Sequence, residues 1–237
     1  MKRLDIAAKA ADAALNALLA LAFALIMLSG AYAFADSAWQ FRGAQDKSLL
    51  AFRPQLTEKV EGSRQISENQ VGWICVPGTG LDFPLLQGKD NSEYLNKDPY
   101  GEFSYSGSIF LDCRCSPDLT DTLSTVYGHH MSGGNMFGCL DAFKDAGYLA
   151  SHARGTLHSR SEAFDLELLG AFECLATEGR IFDPGRFPEE ELRRYIRESC
   201  GLPELPGGRL IALTTCLGDG DGRLVVVGRI TPKEEVD

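Results

Sequence analysis

The sequence predicts a mainly β domain with helices, a closed or nearly closed barrel of about eight strands, preceded by one transmembrane helix. Three observations predict it. Short β-rich runs separated by turns recur from residue 72 to 230. The last two runs, 209–216 and 223–230, flank Leu-Gly-Asp-Gly-Asp-Gly and read as a hairpin. Residues 13–35 carry no formal charge; at about 1.5 Å per residue such a helix spans about 30 Å of hydrocarbon.

Lys2, Arg3 and Lys9 precede the apolar run and Asp36 follows it, which favours a cytoplasmic N-terminus of residues 1–12 and a signal-anchor over 13–35. Ala33-Phe34-Ala35 has the form of a signal-peptide cleavage site, but the apolar run exceeds a typical signal h-region. Either way the chain from Asp36 onward lies outside the membrane. Residues 36–71 are polar with scattered apolar positions, Trp39, Phe41, Leu49, Leu50 and Phe52, and Pro54 interrupts. That section reads as a helical stalk of one or two helices, then a loop through residues 62–64.

From 72 to 237 the texture is that of the β-rich domain. Strands are expected over 73–76, 83–86, 108–111, 124–127, 156–158, 164–172, 210–215 and 224–230. Two helices interrupt them. One runs from Asn135 to about Tyr148, with Phe137, Leu140 and Phe143 at helical spacing. The other covers 187–200: Pro188 suits a first turn, three glutamates sit at the positive dipole end, and Gly201 stops it. Leu192, Tyr195 and Ile196 form its inward stripe, a core face.

Composition narrows the function. A hydrophobic content of 44% and a charged content of 24% are ordinary for a globular chain. The net charge of −10 and the lack of a Lys/Arg cluster argue against nucleic acid as a partner. Seven cysteines in an exported chain raise the disulfide question, and their spacing leaves the pairings open. Cys113-Arg114-Cys115 is too tight for the usual zinc knuckle. No acidic cluster has calcium-loop spacing. No metal or other cofactor is expected.

Three residue types carry chemistry. In the terminal hairpin the first strand ends at Cys216 and the second begins at Arg223, so a thiol and a guanidinium meet at one end of the sheet. A fixed cation stabilises the thiolate, the form that attacks a carbonyl carbon. Tyr127-Gly128-His129-His130-Met131 ends a β run beside Gly133-Gly134. A histidine there supplies a proton carrier near neutral pH, and spacing leaves His129 and His130 equivalent. Arg223 is the oxyanion partner of such a set. Arg229 is the competing cation on the same strand, but at about 3.3 Å per residue it lies about 20 Å away.

These motifs in their order resemble the class B sortases, membrane-anchored cysteine transpeptidases of Gram-positive bacteria. The resemblance runs from about residue 72 to 230. It rests on Gly72-Trp-Ile, Gly78-Thr79, Asp82-Phe-Pro-Leu-Leu-Gln87, Asp90-Asn91 with Tyr94-Leu95, and Gly107-Ser-Ile-Phe-Leu-Asp112. Tyr127-Gly-His-His-Met131, Met136-Phe137, Leu213-Thr-Thr-Cys216 and Arg223 complete it. It implies an eight-stranded sortase-type β-barrel with N-terminal helices and a helix before the cysteine strand.

The resemblance also implies roles. The catalytic histidine is the one directly after glycine, His129; the nucleophile is Cys216 and the essential arginine Arg223. Asn91, Leu95, Tyr127 and Thr214 fall in motifs that line the family's sorting-signal groove. The implied partners are secreted proteins bearing a C-terminal sorting signal, a peptidoglycan cross-bridge amine or a pilin lysine, and the membrane through the N-terminal helix. The alternatives are a cysteine endopeptidase using water as acceptor and a non-catalytic wall-facing binding protein. Three departures stand out: Ala212 replaces the first threonine of the family's Thr-Leu-x-Thr-Cys, the loop from Cys216 to Arg223 is short and glycine-rich, and seven cysteines exceed the family pattern.

Overall fold

The computed structural model describes residues 2–44, 47–54, 66–183, 185–218 and 220–233. It forms two compact units, Met1–Arg42 and Gly43–Asp237. The first is built from helix α1 (Lys2–Ala44). Its stretch Lys9–Ala38 is long and apolar enough to cross a membrane. The helix outlasts the charge-free run because no proline or glycine follows Gly30 until Gly43. Of the stalk expected over 36–71, the first part is therefore a continuation of α1. Then comes a 3-10 turn, Lys47–Phe52. The expected loop through 62–64 lies outside the described residues.

In the second unit eight strands close a barrel: β1 (Gln70–Cys75), β2 (Asp82–Gln87), β3 (Phe110–Leu111), β4 (Leu123–Tyr127), β5 (Arg154–Ser159), β6 (Ala163–Leu175), β7 (Arg209–Cys216) and β8 (Gly222–Pro232). Their order around the wall is β1-β2-β3-β4-β7-β8-β6-β5, closed by β5 against β1. Two neighbours are parallel, β2 with β3 and β4 with β7. A parallel pair needs a long crossover, and the chain between β4 and β7 supplies one containing β5 and β6.

Side-chain alternation gives the wall two buried faces. Val126, Ile211, Leu213, Leu224 and Val226 point into the barrel with Ile74, Leu85, Leu111, Leu157 and Phe164. Their neighbours Leu123, Leu210, Ala212, Val225 and Val227 point outward into a second core with Phe172, Ile181, Leu192 and Ile196. Burial on both faces is why β7 and β8 read as nearly continuous apolar runs.

The second core is roofed by the connection from β6 to β7, which carries α3 (Gly179–Phe182) and α4 (Glu189–Ser199). Helix α4 has the predicted three glutamates in its first turn and Gly201 at φ +63° beyond its end, but Pro188, expected in the first turn, is extended at ψ 145° and stands just before the helix as its N-cap residue. Leu192 and Ile196 are buried beneath it, each contributing about 1.5–3 kcal/mol by leaving water. Tyr195 stacks edge-on against Phe172.

The expected 135–148 helix is instead two pieces, a 3-10 segment Phe137–Lys144 and α2 (Ala146–Ser151). Asp145 breaks the run. It is extended (φ −81°, ψ 122°), and its carboxylate accepts from the Tyr148 amide to start the second piece.

Candidate active site

The outer faces of β4 and β7 form the floor of an open groove of about 320 Å³. Register places the three candidate residues in it. β4 and β7 run parallel with Tyr127 opposite Thr214. Two residues further along each chain come His129 and Cys216, so both arrive at the same end of the sheet on adjacent strands, about 4.8 Å apart in the hydrogen-bonding direction. The pairing continues past the formal strand end: the Gly128 amide donates to the Thr214 carbonyl at 3.2 Å, and Thr215 Oγ1 donates to the Gly128 carbonyl at 2.8 Å. On the other side β7 and β8 are antiparallel with Cys216 opposite Arg223. Cys216 thus stands between the histidine chain and the arginine.

Gly128 explains why a glycine must precede the histidine. A Cβ there would meet Ile109 Cδ1 at 2.4 Å and the Phe137 ring at 2.7 Å, so the chain closes onto the core only without one. His129 then leaves the strand, its carbonyl accepting from the Phe137 amide at 3.0 Å. Its Nε2 lies 2.7 Å from the Leu95 carbonyl oxygen. His130 is engaged elsewhere, with Nε2 2.7 Å from the Asp141 carboxylate.

Arg223 is anchored at the hairpin, Nη1 donating to the carbonyls of Gly222 at 2.8 Å and Gly220 at 3.2 Å. Nε and Nη2 have no partner among the described residues, and the guanidinium borders the groove. Arg229, by contrast, is held by Glu167 at 2.5 Å and borders no part of that groove.

Asn91, Leu95, Tyr127 and Thr214 line the same groove as Cys216, His129 and Arg223. Their polar atoms are largely committed to the scaffold. Thr214 Oγ1 donates to the Val126 carbonyl, while Asn91 Nδ2 and Tyr127 OH each donate to Asp112 Oδ2 at 2.8 Å. What these residues present to the groove is mainly surface shape.

Sequence reasoning did not single out Asp112 or Arg114. Asp112 is wholly buried and also accepts from Arg114 Nε, Nη2 and the Arg114 amide. Burial works to raise its carboxyl, but the hydrogen bonds from Arg114, Tyr127 and Asn91 outweigh it and hold the group below the usual carboxylate range. Burial first, and the Asp112 charge second, push the Tyr127 phenol up, so it stays a neutral donor. Arg114 then reaches across to the Phe182 carbonyl at 2.6 Å and Asp183 at 2.8 Å. One guanidinium ties the β3 end to α3, and Phe182 stacks on Tyr127 to build the facing wall. The partners lie far apart in sequence, and only the pairing of Asp112 with Arg114 two residues on is a local signal.

All seven cysteines are free thiols. Burial pushes Cys115 and Cys139 up to about 12 and Cys174 and Cys200 up to about 11, and it raises Cys75 as well. Such thiols are poor nucleophiles at neutral pH. Cys216 is the one of the seven that borders the groove. Ala212 explains the lost threonine: it is fully buried in the apolar outer core, where a methyl fits without a hydroxyl to satisfy. Among the described residues no group of three or more His, Cys, Asp or Glu is placed to hold a metal ion.

A closed eight-stranded barrel with a groove carrying cysteine, histidine and arginine defines a sortase-type cysteine transpeptidase. No protein-family model matches the chain. It is similar to sortase B of Staphylococcus aureus, 29% identical over 201 residues covering 81% of this chain and 80% of that one. The same holds for sortase B of Listeria monocytogenes, at 27% over 200 residues and 80% of each chain. Among solved structures, a Streptococcus pyogenes class B sortase involved in pilus biogenesis is 30% identical. The match covers 80% of this chain and all of that one, with a TM-score of 0.64. Clostridium perfringens sortase B is also 30% identical, over 70% and 96% of the two chains, with a TM-score of 0.61. The chain belongs to the class B sortases.

Proposed function

We propose that this chain cleaves a C-terminal sorting signal through a thioacyl-enzyme and transfers the acyl group to an amine at the cell wall. Cys216 as thiolate attacks the carbonyl carbon of the signal's threonine. Arg223 donates to the developing oxyanion from the next strand, with the two side chains in register. His129 as imidazolium protonates the leaving amine, so the C–N bond breaks and a thioester remains on Cys216. The incoming amine, from a peptidoglycan cross-bridge or a pilin lysine, then displaces sulfur and regenerates the thiolate. Asn91, Leu95, Tyr127 and Thr214 cradle the sorting signal. Residues 13–35 hold the enzyme to the membrane, with residues 36–71 as stalk and 72–237 as the catalytic domain on the extracellular face.

The observation that carries this reading is the double register, Tyr127 with Thr214 and Cys216 with Arg223. The test is incubation with a sorting-signal peptide library and candidate amines, read by mass spectrometry. A transpeptidase yields the amine-linked product. Hydrolysed peptide alone, unchanged by added amine, would mark an endopeptidase instead.

A further inference from the structure

The segment bordering the groove before β3 is wound around one close contact. Gly107 adopts φ +58°. It lies so near the preceding turn that a Cβ would sit 2.5 Å from the Leu95 carbonyl oxygen and 2.7 Å from that of Tyr94. The turn is fastened on either side. The Ser108 amide donates to the Tyr94 carbonyl at 3.0 Å, and Ser108 Oγ donates to the Lys97 carbonyl at 2.7 Å. The Ser104 amide donates to the Asn96 carbonyl at 3.0 Å. The Leu95 carbonyl is therefore fixed in direction, and it faces His129 Nε2 at 2.7 Å.

A carbonyl oxygen only accepts, so Nε2 must carry the hydrogen in that bond. Nδ1 has no hydrogen-bond partner among the described residues. We propose that the Leu95 carbonyl, seated against Gly107, orients His129 and fixes its tautomer, so that Nδ1 is the nitrogen that carries the proton in catalysis. This rests on the reading of His129 as the proton donor and specifies how it works. In the imidazolium both nitrogens bear hydrogen. As the tetrahedral intermediate collapses, the Nδ1 hydrogen passes to the departing amine nitrogen and the C–N bond electrons go with that nitrogen. The ring is left neutral with hydrogen on Nε2, still bonded to Leu95. In the second half Nδ1 takes a proton from the incoming amine as it bonds to the thioester carbon. The carbonyl plays the orienting part that a carboxylate plays in a triad, and Gly107 is a positioning residue.

The experiment is long-range proton–nitrogen correlation NMR on the full chain in detergent with 15N-labelled histidine, the His129 signals being assigned by their loss in His129→Gln. The neutral ring should show the Nε2–H pattern; an Nδ1–H pattern would overturn the proposal. Gly107→Ala forces Leu95 aside, and should give mixed tautomers with amine release slowed about 10²-fold, the scale of a 1 Å misplacement. Gly101→Ala is the matched control. It also sits at positive φ, +89°, but nothing lies within 4 Å of its Cβ position. It should keep the parent spectrum and rate. A folded Gly107→Ala with the parent tautomer and rate would overturn the proposal. If it fails to fold, the tautomer of the parent protein still decides. The two layers separate cleanly: turnover that survives in His129→Gln sinks the functional reading, whereas an inactive His129→Gln with an Nδ1–H parent ring sinks only the inference about Leu95.

Discussion

Tyr127 stands opposite Thr214 across a parallel pair of strands. Because both chains continue in the same direction, that register, carried one residue further by the hydrogen bonds of Gly128 with Thr214 and Thr215, delivers His129 beside Cys216. Slipping β4 by one residue against β7 would turn every outward side chain inward, so the buried Val126, Ile211 and Leu213 that fix the register also fix the site.

Gly128→Ala tests this coupling. The added methyl has no room against Ile109 and Phe137, and overpacking of this kind costs about 1–3 kcal/mol. The thermal midpoint should fall, and acyl transfer should fall further than the loss of folded protein explains, because the next residue is His129. A stable variant with parent activity would count against the tight closure of β4.

The Asp112 carboxylate sets a pH signature. Its folded pKa is depressed, so its stabilising contribution is fully present above the unfolded value, about 3.9, and is lost as pH falls through the folded value. Asp112→Asn should be less stable than the parent at pH 7, with the gap narrowing below about pH 4. Urea melts at pH 7 and pH 3 compare the two; a gap of constant size would contradict the assignment.

Arg114→Ala should be the costlier change of the pair. It leaves a wholly buried carboxylate without its cation, a situation that costs about 3 kcal/mol, and it also releases the Phe182 carbonyl and Asp183 Oδ1, leaving the Asp183 carboxylate to Arg186 alone among the described residues. Sorting-signal affinity should weaken along with stability, since Phe182 is part of the groove wall. Unchanged binding in a folded Arg114→Ala would show that α3 holds its place without the clamp.

Much of this was readable from local pattern. The terminal hairpin with Cys216 and Arg223 at one end, the capping of α4, and the eight β runs follow from turn chemistry and alternation. The adjacency of His129 and Cys216 does not, because a parallel pair joins segments separated by β5, β6, α3 and α4. Nor does the Arg114 clamp to Phe182 and Asp183, which joins segments far apart in the chain. The 135–148 segment misled because Phe137, Leu140 and Phe143 recur every three residues, a short spacing that the i,i+3 contacts of an α-helix share with the three-residue turn of a 3-10 helix, and the deciding residue, Asp145, acts through its own backbone conformation.

Arg223→Lys and Arg229→Lys form a discriminating pair. An ammonium cannot reproduce the planar fork that donates to Gly222 while reaching the groove. Arg223→Lys should lose about 10²–10³ in acylation rate, as for other transition-state donors. Arg229→Lys should be nearly silent, since its ion pair with Glu167 lies outside the groove and is partly exposed, and ion pairs in contact with solvent contribute about 0–1 kcal/mol. Single-turnover rates that rank the two the other way would remove Arg223 from the oxyanion role.

The central claim is that Cys216 alone among seven free thiols takes the acyl group. Intact-mass spectrometry of the full chain in detergent, mixed with sorting-signal peptides and then digested, measures this directly. The adduct should appear on the fragment containing Cys216, vanish in Cys216→Ala, persist in the alanine variants of Cys75, Cys113, Cys115, Cys139, Cys174 and Cys200, and discharge on adding an amine. An adduct on any other cysteine, or loss of it in a folded variant of one of those six, would contradict the account.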